Sequence, residues 1–174
     1  LTGKVGNNQV GLLAAVDDEA GSAFGDHPVY AIMRASHDLG PGSRFAALWT
    51  EQHDGDAVNR VLDIDGRVVV GKINSFTFAA ATAHDDRNGV VTNAPIWSAG
   101  FRRAGRNFRL NYGISGVPAD FITRSGLIGQ RDLVNATIDH SYTWLFTGHR
   151  IEALTFDVGI NGSWKYHDFL HGGP

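Results

Sequence analysis

Apolar and polar side chains alternate with a period of two along most of this chain. The segment NFRLNYGIS, Asn107 to Ser115, separates into Phe108, Leu110, Tyr112 and Ile114 on one side and Asn107, Arg109, Asn111, Gly113 and Ser115 on the other. Successive side chains of a strand point to opposite faces, so this segment is expected to be extended, with one apolar and one polar face. The same period runs through Val61 to Val70, where Leu62, Ile64, Val68 and Val70 oppose Asp63, Asp65 and Arg67. From Leu133 to Trp144, Val134, Ala136, Ile138, Tyr142 and Trp144 oppose Asn135, Thr137, Asp139, Ser141 and Thr143. From Ala153 to Asn161, Leu154, Phe156, Val158 and Ile160 oppose Thr155, Asp157, Gly159 and Asn161. Lys72 to His84 is a weaker case, in which Phe76 and Phe78 share a face. The longest helical candidate, Val10 to Ala20, carries Gly11, and its VGLLAAV reads equally well as a buried strand, which is the reading adopted. The pattern predicts an all-β, antiparallel up-and-down meander.

Turn chemistry falls between these segments. DLGPGS, Asp38 to Ser43, is a tight connection joining YAIMRASH to RFAALWTEQ; Gly6 to Asn8, Arg103 to Asn107 and Gly71 are placed to close others. Asp17 to Pro28, His53 to Ala57 and His84 to Pro95 read as longer polar loops. Short turns alternating with long loops characterise an up-and-down membrane barrel, but soluble sandwiches have unequal loops too. Three features favour the barrel. The predicted strands reach about nine to eleven residues, the length of a tilted membrane-crossing strand, against about five or six for an ordinary strand. Trp49, Trp97, Tyr142, Trp144, Phe146, Trp164 and Tyr166 gather near strand ends, as interfacial girdles do. The polar faces carry Arg, Asp and Asn in succession, which suits a wet lumen better than a surface.

Composition narrows the classes. The chain has 174 residues, sufficient for one ordinary domain. With 15 basic and 18 acidic side chains the net charge is -3, and a pI of 6.2 offers no footprint for nucleic acid. The absence of cysteine excludes disulfides, thiolate metal sites and a thiol nucleophile. Mean hydropathy is -0.15, and no run approaches the roughly 20 apolar residues of a membrane helix. That exclusion leaves a barrel open, because alternation dilutes its hydrophobicity. Leu1 in place of a start methionine, and the ending HDFLHGGP, read as a piece of a longer precursor. Residues 1–174 are thus expected to form a single all-β region belonging to a larger barrel.

The motifs LTGKVGNNQVGLLAAV, YAIMRASHDLGPGSRFAALWTEQ, NRVLDIDGRV and GFRRAGRNFRLNYGISGVPADFITRSGLIGQRD resemble, in this order, the C-terminal region of bacterial DUF5916 proteins. Gly3-Lys4-Val5-Gly6 with Gly11-Leu12-Leu13 corresponds to the family's opening hairpin, and Arg34 with Asp38-Leu39-Gly40 to its next one. Asn59-Arg60 begins the strand carrying Asp63 and Asp65. Pro118, Asp120, Phe121, Gly126, Arg131 and Asp132 match a loop in which Leu127 replaces the family's aromatic residue. The resemblance covers roughly Leu1 to Leu145. It implies an outer-membrane β-barrel; the carbohydrate-binding family 9-like domain often found ahead of it has no counterpart in these residues. It implies no particular reaction.

The candidate chemistry is sparse. Of eight histidines, His27, His37, His53 and His84 sit in or beside predicted loops and His140 and His149 flank a predicted strand end. Only His167 and His171 have a helical spacing, without the HExxH arrangement. Solvated loop histidine is the preferred reading over metal ligation. The carboxylate pairs Asp17-Asp18 and Asp85-Asp86 would serve a hydrolase only if folding set them across a substrate. No nucleophile elbow or phosphate loop occurs, and neither catalysis, a cofactor nor a metal is expected. The candidate binding residues are the polar ladder: Asp63, Asp65, Arg67, Arg109, Asn111, Asn135, Thr137 and Asp139, facing a lumen where charge selects what passes or stiffens the barrel. The expected function is transport, export or surface anchoring in the bacterial outer membrane. The expected partners are lipid and a glycan or small solute, with nucleic acid excluded. The alternative is a soluble β-sandwich or small barrel that binds carbohydrate, with Phe108, Leu110, Tyr112 and Ile114 buried under a second sheet.

Overall fold

The computed structural model describes residues 1–126, 128–148 and 150–172; Leu127 and His149 lie outside them. Ten strands follow one another: β1 (Thr2–Val5), β2 (Asn8–Val16), β3 (Val29–Gly40), β4 (Ser43–Asp54), β5 (Ala57–Val70), β6 (Asn74–Arg87), β7 (Val90–Ala104), β8 (Phe108–Val117), β9 (Leu133–Leu145) and β10 (Ala153–Trp164). A 3₁₀ turn at Glu19–Gly21 and a short helix, α1 (Tyr166–His171), complete the described elements. The strands form one antiparallel sheet in sequence order, so the meander expected from the alternation is what the chain builds. VGLLAAV lies in β2, a strand as expected, but its side chains are exposed and not buried. The sheet is open: β1 and β10 are its two edges.

Two expectations are corrected. The strands exceed the expected length, reaching 14 residues in β5 and β6 and 15 in β7. Accordingly, the loops expected at 53–57 and 84–95 contract to turns at 55–56 and 88–89. Asn88 and Gly89 have φ of 52° and 78°, the left-handed pair of a two-residue hairpin turn, and Asn-Gly is its strongest local signal. The polar residues on either side of it belong to strands, so polarity alone misread them as loop.

The register assigns every strand residue to a face. Arg44, Arg67, Thr77, Gly100, Gly113, Thr137 and Asn161 form one cross-strand row on the polar face. Met33, Trp49, Leu62, Thr82 and Pro95 form a row on the other. Burial is inverted relative to an aqueous globule. Leu62, Ile64, Phe76, Phe78, Phe156, Val158 and Ile160 are exposed, whereas most of the buried apolar residues are alanines: Ala46, Ala57, Ala81, Ala83 and Ala94. No second sheet covers the apolar face among the described residues, so Phe108, Leu110, Tyr112 and Ile114 do not face a sandwich core.

The two ends of the sheet differ. Turns at 6–7, 41–42, 71–73 and 105–107 lie at one end together with 146–152. The other end carries the long segments 17–28 and 118–132, and the latter folds back over the polar face. Phe121, 2% exposed, packs there with Val61, Ala81, Ala83 and Ala94, flanked by Ile96, Val117 and Ile128. That cluster is the molecule's main apolar core, built from small residues because the backbone of a folded-in segment must fit above them.

Candidate functional site

All eight residues of the predicted polar ladder lie on one face of the sheet, as their register shows. They do not form one cluster. Asp63, Asp65 and Arg67 belong to β5, and Arg109, Asn111, Asn135, Thr137 and Asp139 to β8 and β9. β6 and β7 intervene, presenting Thr77, Ala79, Ala81, Ser98 and Gly100 to this face. At about 4.8 Å per strand the two groups stand roughly 14 Å apart along the sheet. What joins them is a floor of small side chains.

Several acids and donors are paired, while Asp63 and Arg67 have no ion pair or side-chain hydrogen bond among the described residues. Arg34 of β3 donates to Asp65 at 2.5 Å, reaching across β4 above Ala46, which is 1% exposed and leaves room for the guanidinium. Near the turn end of the face, Lys4 holds Asp38 at 3.2 Å. On the far side Asn111 donates to Asp139 at 3.0 Å, Arg109 to Ser141 at 3.1 Å, and Ser163 to Asn135 at 2.7 Å. A concavity of about 860 Å³ opens between β3 and β7, lined by Asp38, Arg44, Asp65, Arg67, Thr77 and Ser98. A second, of about 370 Å³, lies over Arg109, Asn111 and Asp139.

The opposite end of the polar face is sealed by the long segments. Asp85 is 5% exposed and accepts from both guanidinium nitrogens of Arg124, at 3.1 and 3.3 Å, and from Asn59 at 3.0 Å. Asn59 in turn donates to the Ile122 carbonyl at 3.0 Å and accepts from the Arg124 amide at 3.1 Å. Segment 17–28 is tied down by Asp54, which accepts from the Ser22 hydroxyl and from the Ala23 amide. The Ser22 hydrogen bond is the main reason the Asp54 carboxyl is held below the usual carboxylate range. Phe24 lies 5.8 Å from the Arg87 guanidinium, closing the same end. Asn59, Asp85 and Arg124 were not among the predicted site residues. They are 26 to 65 positions apart in the chain, and only the buried lone polarity of Asn59 between Ala57 and Val61 hinted at a partner.

The other predicted chemistries separate. Asp85 and Asp86 are consecutive in β6, not in a loop, and so point to opposite faces; they cannot act together as a carboxylate pair. His37, His53 and His84 are in strands, where they meet Asn8 at 2.8 Å, Glu51 at 2.5 Å and Asn93 at 2.9 Å. His140 is within β9, 2.8 Å from the Tyr112 hydroxyl. The His167 and His171 rings stack at 4.3 Å on α1. Among the described residues no group of three or more His, Asp or Glu is arranged to hold a metal ion.

On the apolar face an aromatic series crosses the sheet: Phe45 to Phe78 at 6.1 Å, Phe76 to Phe101 at 4.9 Å, Phe101 to Tyr112 at 6.0 Å, Phe108 to Tyr142 at 6.4 Å and Tyr142 to Trp144 at 4.7 Å. Beyond the apolar residues, toward the sealed end, comes a polar row in which Arg60 meets Glu51 at 2.9 Å and His84 meets Asn93. No family model, no curated protein and no solved structure matches this chain.

Proposed function

We propose that the chain forms part of an outer-membrane β-barrel, with its apolar face against lipid and its polar face lining an interior used for transport, export or surface anchoring. The observation that carries this reading is the exposed apolar face. It runs uninterrupted from Leu62 to Val70 on β5 and from Leu154 to Trp164 on β10, the length that a tilted strand of about nine to eleven residues needs to cross a bilayer. In water each such Leu, Ile or Phe would forgo about 1.5–3 kcal/mol of burial, and soluble monomers rarely expose apolar patches beyond a few hundred Å². Hydrocarbon removes that penalty. The polar row of Glu51, Arg60, His84 and Asn93 marks where the apolar belt ends, and the aromatic series supports an interfacial girdle.

The open edges fit the same reading. Unpaired backbone groups are intolerable in hydrocarbon, so in a membrane β1 and β10 must pair, with each other or with strands outside the ten described here. The decisive experiment is expression behind a signal peptide followed by fractionation. Recovery in the outer membrane, extracted only by detergent, is expected; recovery as a soluble periplasmic monomer would overturn the proposal.

A further inference from the structure

The concavity at the turn end of the polar face holds charge that its neighbours leave uncompensated. Arg44 on β4 and Arg67 on β5 are directly opposite each other in the register, an arrangement that repels unless an anion intervenes. The carboxylates within reach are already engaged. Asp65 accepts from Arg34 at 2.5 Å, and Asp38, which stands opposite Arg44, is held by Lys4 at 3.2 Å. Among the described residues neither Arg44 nor Arg67 has an ion pair or a side-chain hydrogen bond, although both line the 860 Å³ concavity. Thr77, opposite Arg67, and Ser98 add hydroxyls to the same wall. The smaller concavity differs in its charge balance: its Arg102, Arg103 and Arg109 share the wall with Asp139 and Asp157, carboxylates that no cation holds in an ion pair among the described residues.

Two exposed guanidinium groups, an open cavity and adjacent hydroxyls supply the donors that a planar or tetrahedral oxyanion accepts. We propose that Arg44 and Arg67 together bind the carboxylate or phosphate group of a small anionic solute. The inference deepens the reading of the polar face as a wet interior and rests on it: the interior would favour anions even though the whole chain is slightly acidic.

The test uses the complete barrel that contains this chain, folded in detergent micelles at constant ionic strength. Thermal unfolding is followed in sodium chloride, sodium phosphate and sodium succinate, and phosphate and succinate affinities are measured by calorimetry. At least one oxyanion is expected to raise the melting temperature above that in chloride; which one does so distinguishes phosphate from carboxylate. Arg67→Gln, and separately Arg44→Gln, should weaken that anion's affinity at least tenfold and remove the rise, while Arg109→Gln keeps both. Retention of the rise in all three variants would reduce it to a general salt effect and overturn the site, as would equal melting temperatures of the unsubstituted protein in all three salts. The two proposals fail separately. A water-soluble chain with an Arg67-dependent anion effect removes the membrane reading alone; a membrane-embedded chain without that effect removes the anion site alone.

Discussion

Gly116 and Gly66 explain themselves through the rings beside them. A Cβ at Gly116 would stand 2.6 Å from the Trp97 indole, its cross-strand partner, and one at Gly66 would meet the Phe78 ring. The ring covers the bare backbone and the glycine gives the ring its place, a known device for glycines in sheets. Gly116→Ala should therefore displace Trp97 and cost about 1–3 kcal/mol; chemical denaturation with indole fluorescence checks both effects. Asp54, at the end of β4 beyond the apolar belt, supplies a pH-dependent contact. Its folded pKa is depressed, chiefly by the Ser22 hydroxyl. The contribution is thus fully present above the unfolded carboxylate value of about 3.9 and is lost as pH falls through the lower folded value. Hydrogen exchange of residues 17–28 should accelerate in acid, and Ser22→Ala should flatten that dependence. Asp85 and Asp86 carry a different lesson: adjacent carboxylates suggest a pair in a sequence, but in a strand adjacency means opposite faces.

Among the elements, the folded-in segment 118–132 is the least predictable and the most distinctive. Phe121 and the Arg124–Asp85 pair fasten it, yet Thr50 Oγ1, Gln52 Oε1 and Ser125 Oγ are buried without a hydrogen-bond partner among the described residues. Unmade bonds of that kind cost about 1–3 kcal/mol each. The seat is consequently less stable than the sheet below it, and the amides of this segment should exchange ahead of those of β5 to β7. Phe121→Ala should cost about 3–5 kcal/mol of that seating by leaving a cavity. Arg124→Met should cost about 3 kcal/mol by stranding the buried Asp85, and the double variant Asp85→Asn with Arg124→Met should recover part of it. Limited proteolysis at 118–132 reads all three. The strands, by contrast, were legible because period-two alternation is a local consequence of backbone geometry. The turn at Asn88-Gly89 was missed, because the polar strand residues around it made 84–95 read as a long loop.

For the whole molecule, the question is which face meets which medium. A charge on a lipid-facing position near the middle of the belt costs about 2–4 kcal/mol, whereas one lining the interior is tolerated. Ile64→Arg should accordingly lower folding stability in lipid vesicles by that amount, and Asn135→Lys, on the polar face, should change it by less than about 0.5 kcal/mol. Equal effects of the two, measured by urea titration in vesicles, would contradict the orientation. The placement of all eight ladder residues on one face was readable from alternation alone. Their division into two groups was not, since it depends on β6 and β7 lying between β5 and β8.

The amino-acid order alone determined the meander and the face of the alternating strand residues, because these depend on neighbours one or two residues away and on turn residues such as those of Asp38 to Ser43. The tertiary structure alone decided which long segment folds onto the polar face, which acids are neutralised and which arginines are left without a counter-charge. Those outcomes depend on partners that only the folded chain brings together: Asn59 meets Arg124 over 65 positions, and Arg44 stands opposite Arg67 in the register while Arg34 takes Asp65, two residues along β5.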